Sequence, residues 1–285
     1  MLHWIPGNAH PEHRTESRLK HMNIFFSTNG VNALDFEKTF SYIEPFGGKV
    51  GVEIFPCFHV NGYKELFEKC HARLRDYPIS CHAPYYESEY SAPIGTASYI
   101  RSMELLDLTL NAVADLNTRY MVFHHNNCSF DPSEKETMRN DATKNYSLIK
   151  ECCGKYNIPL VVENAGVKSH QNMLLDEQEF IDACRALSCP VLIDIGHAHA
   201  NGWDICHVID ALKDQIISYH VHNNDGYEDG HRRIFDGTLD FEKFLAHYKK
   251  VTPDADIVVE YCPEAAADVA GVQEDITYLL NALER

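Results

Sequence analysis

The feature that most constrains this chain is a regular alternation of short, β-branched runs with amphipathic stretches. The candidate strands are 22–26 (MNIFF), 50–55 (VGVEIF), 78–82 (PISCH), 119–124 (RYMVFH), 158–163 (IPLVVE), 190–194 (PVLID), 216–222 (IISYHVH) and 256–260 (DIVVE). Helical periodicity fills 34–46, 63–75, 95–116, 132–155, 175–187, 204–214, 239–250 and 265–283. Between Ser98 and Leu116, for example, Ile100, Met103, Leu105, Leu106, Leu108, Leu110 and Val113 build one apolar face. Eight β-then-α units in one chain predict an α/β fold of a single domain, a closed (β/α)₈ TIM barrel. An open doubly wound sheet would usually carry a Gly-rich phosphate loop after an early strand, and neither G-x-G-x-x-G nor G-x-x-x-x-G-K occurs.

The 285 residues suit one large barrel. The segment MLHWIPGNAHPEHRTESRLKHMN is too polar for a secretory signal, so residues 1–21 are expected to form a leader or N-terminal extension, with Met22 as a second candidate start, and the barrel to occupy 22–285. No apolar run approaches the ~20 residues of a membrane helix. Cys57, Cys81, Cys152, Cys153, Cys184 and Cys189 fall in apolar or helical stretches and no C-x-x-C pair occurs, so reduced, buried thiols in a cytoplasmic protein are expected. A net charge of −17 repels phosphate backbones and argues against a nucleic-acid partner. A homo-oligomer is compatible with the sequence, which does not fix the state of association.

In a barrel, chemistry belongs at the C-terminal ends of the strands. Six consecutive candidate strands end there in metal-competent side chains. These are His82; His124 and His125; Glu163; Asp194 with His197 and His199; His220 and His222, with Asp225, Asp229 and His231 in the following loop; and Glu260. One histidine at a strand end is ordinarily a hydrogen-bonded surface residue, and one Glu a solvated terminus. Independent accidents would scatter such residues along the strands instead of gathering them at one end. Converging carboxylates and imidazoles need cations to neutralise them, and this mixture suits Zn²⁺, Mn²⁺, Fe²⁺ or Co²⁺ better than Ca²⁺. Period-two alternation puts His220 and His222 on the same, interior face. His222, nearer the strand end, is the expected ligand, and His220 is expected to be packed or to stand behind the ligands, as are His125 and His199.

At these strand ends the chain resembles the xylose isomerase-like barrel superfamily, which includes sugar phosphate isomerases and epimerases and endonuclease IV. The resemblance spans roughly 22–285 and rests on GVEIF (51–55), CHAPY (81–85), VFHHN (122–126), VVENAG (161–166), DIGHAHANG (194–202), HNNDGYEDGH (222–231) and VVEYCPE (258–264). It implies a single metal on Glu163, Asp194, His222 and Glu260, with the two glutamates as the acid–base pair of an epimerase. The trinuclear zinc cluster of endonuclease IV finds counterparts for all nine ligands: His82, His124, Glu163, Asp194, His197, His222, Asp229, His231 and Glu260. The chain departs from endonuclease IV after strand 2, where FPCFHVNG replaces an Arg-bearing DNA-penetrating loop. The loops ESEYSAP, GYEDGH and CPEAAADV are rich in carboxylates and poor in the cationic groups that hold phosphates.

The leading expectation is therefore an isomerase or epimerase of a sugar, sugar phosphate or related polyol, with one to three divalent ions (Zn²⁺ or Mn²⁺). Catalysis would pass a proton between Glu163 and Glu260 through an enediolate stabilised by a Lewis acid. His197 or Arg232 would orient hydroxyls or a phosphate, and Tyr85, Phe55 and Trp203 would exclude water. The alternatives are an endonuclease IV-like multinuclear phosphodiesterase and a non-catalytic barrel that binds metal and a small ligand.

Overall fold

A computed structural model of the chain describes residues 23–283. The strands β1 (Ile24–Ser27), β2 (Val50–Ile54), β3 (Ile79–His82), β4 (Met121–Phe123), β5 (Leu160–Glu163), β6 (Val191–Asp194), β7 (Ile216–Val221) and β8 (Asp256–Val259) close into one parallel barrel in sequence order. β8 returns to pair with β1, Ile24 opposite Ile257. The expected single (β/α)₈ barrel is thus the fold observed. The expected leader, 1–21, lies outside the described residues. No helix among the described residues is long and apolar enough to cross a membrane.

The helices are α1 (Thr39–Ile43), α2 (Tyr63–Leu74), α3 (Ala97–Val113), α4 (Lys135–Gly154), α5 (Glu177–Leu187), α6 (Ile195–Ala200), α7 (Ile205–Leu212), α8 (Phe241–Val251), α9 (Pro263–Ala266) and α10 (Val269–Leu283). Three differ from expectation. The predicted helix over 34–46 is a short α-helical turn between two 3₁₀ segments, broken at Asp35 (φ −110°) and closed by Pro45. The predicted helix over 265–283 divides into α9 and α10. The third, α6, follows β6 directly and was not anticipated, because its six residues are too few to show a helical period.

Strand periodicity separates two cores. Ile24, Phe26, Val52, Ile54, Cys81, Phe123, Val162, Ile193, Val221 and Val259 face outward and pack with the helices in the main apolar cluster. The alternate residues face inward, where Tyr120, Val122, Val161 and Leu192 make a separate apolar plug. Tyr120 stacks edge-on against Phe25 and shares a hydrogen bond of 2.9 Å with Ser218. At the N-terminal foot, Arg119 Nε donates to the buried Asp256 carboxylate at 3.0 Å, which also accepts from the Asn23 amide at 2.8 Å. The lower barrel is therefore solid, and the next inward layer up holds Glu53, His82, Glu163, Asp194 and His220.

Gly51 makes the plug fit. A Cβ there would lie 2.6 Å from the Phe25 ring and 2.5 Å from the Pro78 carbonyl oxygen. Neither can retreat, since Phe25 is fully buried and the Pro78 oxygen accepts the β-ladder bond from Val52 at 2.9 Å. Gly51→Ala should overpack the barrel and lower unfolding free energy by about 1–3 kcal/mol in denaturant titration. An unchanged midpoint and slope would show that the interior can yield there.

Candidate metal centre

The strands bring the titratable residues to one mouth. His82 and Glu163 end β3 and β5, His124 follows β4, Asp194 ends β6, and Glu260 follows β8. His220 lies within β7 and His222 one residue past it. Asp194 doubles as the cap of α6, its Oδ1 accepting the His197 amide at 2.7 Å, so the DIGH turn carries His197 back over the mouth. Gly196 is required in that turn, because a Cβ would sit 2.0 Å from His222 Cε1.

Four overlapping donor groups result, of which Glu53–His220–Glu260 and Glu163–Asp194–His220 share His220 and make one centre, leaving three. In the first, the Nε2 atoms of His82 and His124 lie 3.2 Å apart, and His124 Nε2 is 2.9 Å from Glu163 Oε2. In the second, His220 Nδ1 stands 3.1 Å from Glu260 Oε2, 3.4 Å from Glu163 Oε1 and 3.8 Å from Asp194 Oδ2. The third gathers His197, His222, Asp229 and His231. There the Asp229 carboxylate is 3.2 Å from His197 Nε2 and 3.3 Å from His231 Nε2, and the rings of His222 and His231 stack at 3.9 Å. His222 Nε2 also reaches Asp194 Oδ1 at 3.0 Å.

This arrangement fits divalent ions. His220 Nδ1, His222 Nδ1 and Asp229 Oδ1 are buried without a hydrogen-bond partner, although other donors of the cluster lie within ion-pair distance. Buried polar atoms are rarely left so. The mixed imidazole and carboxylate donors match the ligand preferences of Zn²⁺ and Mn²⁺.

Without an ion, protons take its place. For Glu163, Asp194, Asp229, Glu260, His82, His197, His220 and His231, burial works against charge and mutual attraction overcomes it. Burial alone would raise Glu163, yet the imidazoles of His220 and His124 hold its carboxyl well below the usual range. Asp229 and Glu260 are lowered in the same way, against their burial, by His231 and His197 and by His220 and His231 respectively. Conversely, burial would lower His231, but Asp229 lifts it to about 10. His197 and His220 are raised well above the ordinary imidazole value and His82 is raised, each by the carboxylates around it and against its burial. His125 behaves oppositely: burial and the neighbouring His124 push it down to about 4.

Asparagines hold the mouth in shape, a role the sequence did not signal. Asn164 accepts the Asp194 amide at 2.7 Å and donates to its carbonyl at 2.9 Å. Asn223 accepts the Leu239 amide at 2.9 Å and donates to the Ile234 carbonyl at 2.8 Å, tying down the loop that carries Asp229 and His231. Asn224 donates to the Gly196 carbonyl at 2.8 Å. His231 itself is in the left-handed region (φ 41°), a strained conformation for a non-glycine residue.

A cavity of about 250 Å³ opens over the donors, lined by His82, His124, Glu163, His197, Asp229, His231 and Glu260 and walled by Phe55, Tyr85 and Tyr86. Two sequence expectations need correction. Trp203 does not wall this cavity: α6 carries the chain away from the strand end, and the indole packs on Phe180 at 5.9 Å and lines a separate pocket with His199 and Cys206. Arg232 also lies apart. Its backbone bridges Asn223, so with His231 turned inward the Arg232 side chain is exposed, 3.9 Å from Asp225. His199 bonds Thr238 at 2.8 Å, the structural role expected of it. Glu53 and the central placing of His220 were missed.

The chain belongs to the xylose isomerase-like TIM barrel family, whose sequence model matches residues 40–282. No curated protein matches the sequence. Among solved structures, a D-tagatose 3-epimerase-like protein aligns with a TM-score of 0.72 at 19% identity, over 92% of this chain and 98% of its own. The IOLI protein, solved with a bound zinc atom, gives 0.72 at 13% identity, covering 92% and 98%. D-psicose 3-epimerase from Clostridium cellulolyticum gives 0.71 at 11% identity, covering 93% and 100%. At such identities the likeness establishes the fold.

Because imidazoles of the metal-free site hold protons, ions must displace them. Zn²⁺ titration calorimetry in buffers of differing ionisation enthalpy should report net proton release near neutral pH. Apparent affinity should climb from about pH 6 to about pH 8. Binding without proton release would remove His197, His220 and His231 as ligands.

Proposed function

We propose that this protein is a divalent-metal-dependent isomerase or epimerase acting on a small unphosphorylated sugar or related polyol. The carrying observation is that Glu163 and Glu260, from strands β5 and β8, border the same cavity within a cluster of metal-competent donors. Both carboxyls are held below their ordinary range, so both are ionised at neutral pH, the state a base requires. One of the pair removes a proton from a substrate carbon; the other takes up a proton from solvent and delivers it to carbon, and the proton held by the first passes to solvent. A divalent ion bound by Glu163, Asp194, Glu260 and a β7 imidazole would supply the Lewis-acid stabilisation of the negative charge that develops on substrate oxygens.

The walls support the substrate class. Phe55, Tyr85 and Tyr86 give apolar faces of the kind that cover the carbon side of a sugar and exclude water. His170, Asn126 and Asn172 offer hydrogen-bonding groups for hydroxyls. Among the described residues no Lys or Arg borders this cavity, which favours a neutral ligand over a phosphate.

A second reading has its own observation. The first and third donor groups are complete enough to hold further ions, which favours a multinuclear hydrolase of phosphate esters, working through a bound water of lowered pKa. Glu260→Gln separates the two. As an isomerase, the variant should retain a bound ion through its amide oxygen and lose solvent-deuterium incorporation into ketoses by about 10²-fold or more. Elemental analysis and mass spectrometry on a ketose panel, with a model phosphodiester as control, would measure both. Phosphodiester cleavage by the wild type with no deuterium uptake into any sugar would overturn the isomerase reading.

A further inference from the structure

The acidic loop ESEYSAP after β3 turns one of its carboxylates toward the neighbouring loop. Glu87 faces out and binds Arg101 Nη2 at 2.6 Å. Glu89 Oε2 instead accepts the backbone amides of Asn127 at 2.9 Å and Cys128 at 2.8 Å, in the loop after β4. Its Oε1 accepts the Ser91 amide at 2.8 Å, so this carboxylate joins the two loops. Asn127, held in this way, does not border the cavity. Its Nδ2 donates to the carbonyls of Tyr85 at 3.3 Å and Ser88 at 2.9 Å, and its Oδ1 lies 3.0 Å from His124 Nδ1. Carbonyls can only accept, so the amide nitrogen must face them and the amide oxygen must face the ring.

We infer that Asn127 is a positioning residue: it holds the His124 proton on Nδ1 and so aims the Nε2 lone pair at a divalent ion shared with His82 and Glu163. The amide oxygen has no proton to give, so the neutral ring must carry its own on Nδ1. His82 is set in the same way by backbone, its Nδ1 donating to the Ala83 carbonyl at 2.6 Å. The two Nε2 atoms then meet 3.2 Å apart, at 2.9 Å (His124) and 3.6 Å (His82) from Glu163 Oε2. Three buried electron pairs converge there, and only a proton or a cation can hold them together. Bonds of about 2.0–2.2 Å to a tetrahedral ion space neighbouring donors about 3.3–3.5 Å apart, so an ion fits after small shifts. An acceptor behind the ring also strengthens the forward nitrogen as a ligand. Glu89 acts one step further back, since its bonds to two successive amides fix where the Asn127 side chain starts. The inference rests on the metal reading of the mouth and not on the isomerase reaction.

The competing account is an amide that ties two loops together and has no bearing on the ion. Zn²⁺ affinity, measured by chelator competition, separates the two at the binding step that His124→Gln abolishes. Asn127→Leu keeps bulk and removes the acceptor; Asn127→Asp loses the loop-tying donors and keeps an oxygen toward Nδ1. We expect Asn127→Leu to weaken that step by about 10- to 100-fold and Asn127→Asp to lose much less. Wild-type affinity in Asn127→Leu, or equal losses in both variants, would overturn the inference. A titration that His124→Gln leaves unchanged would do the same. A second measurement needs no change at Asn127: ¹⁵N-histidine protein is loaded with ¹¹³Cd²⁺, the His124 signals being assigned by their loss in His124→Gln. Cadmium should couple to His124 Nε2 while Nδ1 carries a proton. Coupling to Nδ1, or to neither nitrogen, would overturn the inference even if the Asn127 variants failed to fold. Cadmium on other histidines but not on His124 would sink this inference alone and leave the single-ion isomerase standing, whereas a wild type that binds no ion would sink both.

Discussion

Four carboxylates, Glu53, Glu163, Asp194 and Glu260, stand in a barrel interior that is closed below by an apolar plug. Bare anions at this density in a dry space would push the strands apart, because each loses hydration and gains only repulsion. Imidazoles between them provide the compensation, with His220 facing all four carboxylates within 3.8 Å. A histidine can serve as a proton-bearing cation or as a neutral ligand to a metal cation, so the layer has two balanced states. It is neutralised by protons when empty of metal and by ions when loaded. The depressed carboxyls of Glu163, Asp194 and Glu260 and the raised imidazoles of His82, His197 and His220 describe the first state. The orphaned nitrogens of His220 and His222 point to the second.

A cluster so dependent on charge balance needs a rigid frame, and the frame is built from groups that do not titrate. The outward strand residues lock the barrel to its helices. Asn164, Asn223 and Asn224 then fix the loops with their amides, leaving the imidazoles and carboxylates free to face the mouth. Hydrogen bonds of this kind also hold His231 in its left-handed backbone, since the Asn223–Arg232 bridge lies beside it and its Nδ1 is 3.0 Å from the Glu260 carbonyl oxygen. Strain held by surrounding bonds in this way marks a side chain whose direction matters.

How much of this the sequence revealed follows from the reach of local pattern. The eight strands could be read because β-branched runs and helical faces repeat, and the strand-end chemistry because polar residues recur at one end of each run. His220 was harder. Alternation placed it inside, but its depth relative to His222 depends on how β7 is staggered against β6, which a single chain segment does not encode. Glu53 looked like an ordinary strand residue because its partner lies 167 positions away. Trp203 and Arg232 lie near ligands in sequence but not in space, because a helical turn carries the first away from the mouth and strand alternation turns the second to solvent. The asparagines carried no signal, as their role is legible only once both ends of each hydrogen bond are in place.

Glu163 is the hinge between the two chemistries that this barrel can support. Its Oε2 belongs to the His82–His124 group, while Oε1 faces His197 and His220 at 3.4 Å each. His82, His124 and Glu163 Oε2 would hold an ion there, and the added positive charge would make the Glu163 carboxylate a weaker base toward a substrate carbon. With that group holding only protons, Oε2 is engaged by hydrogen bonds that a substrate can displace, and the carboxylate can act as a base. Occupancy of the His82–His124 group would therefore oppose proton transfer by Glu163. On the proposed reading, the affinity of two imidazoles at the edge of the cavity would weigh between proton transfer at carbon and hydrolysis of a phosphate ester.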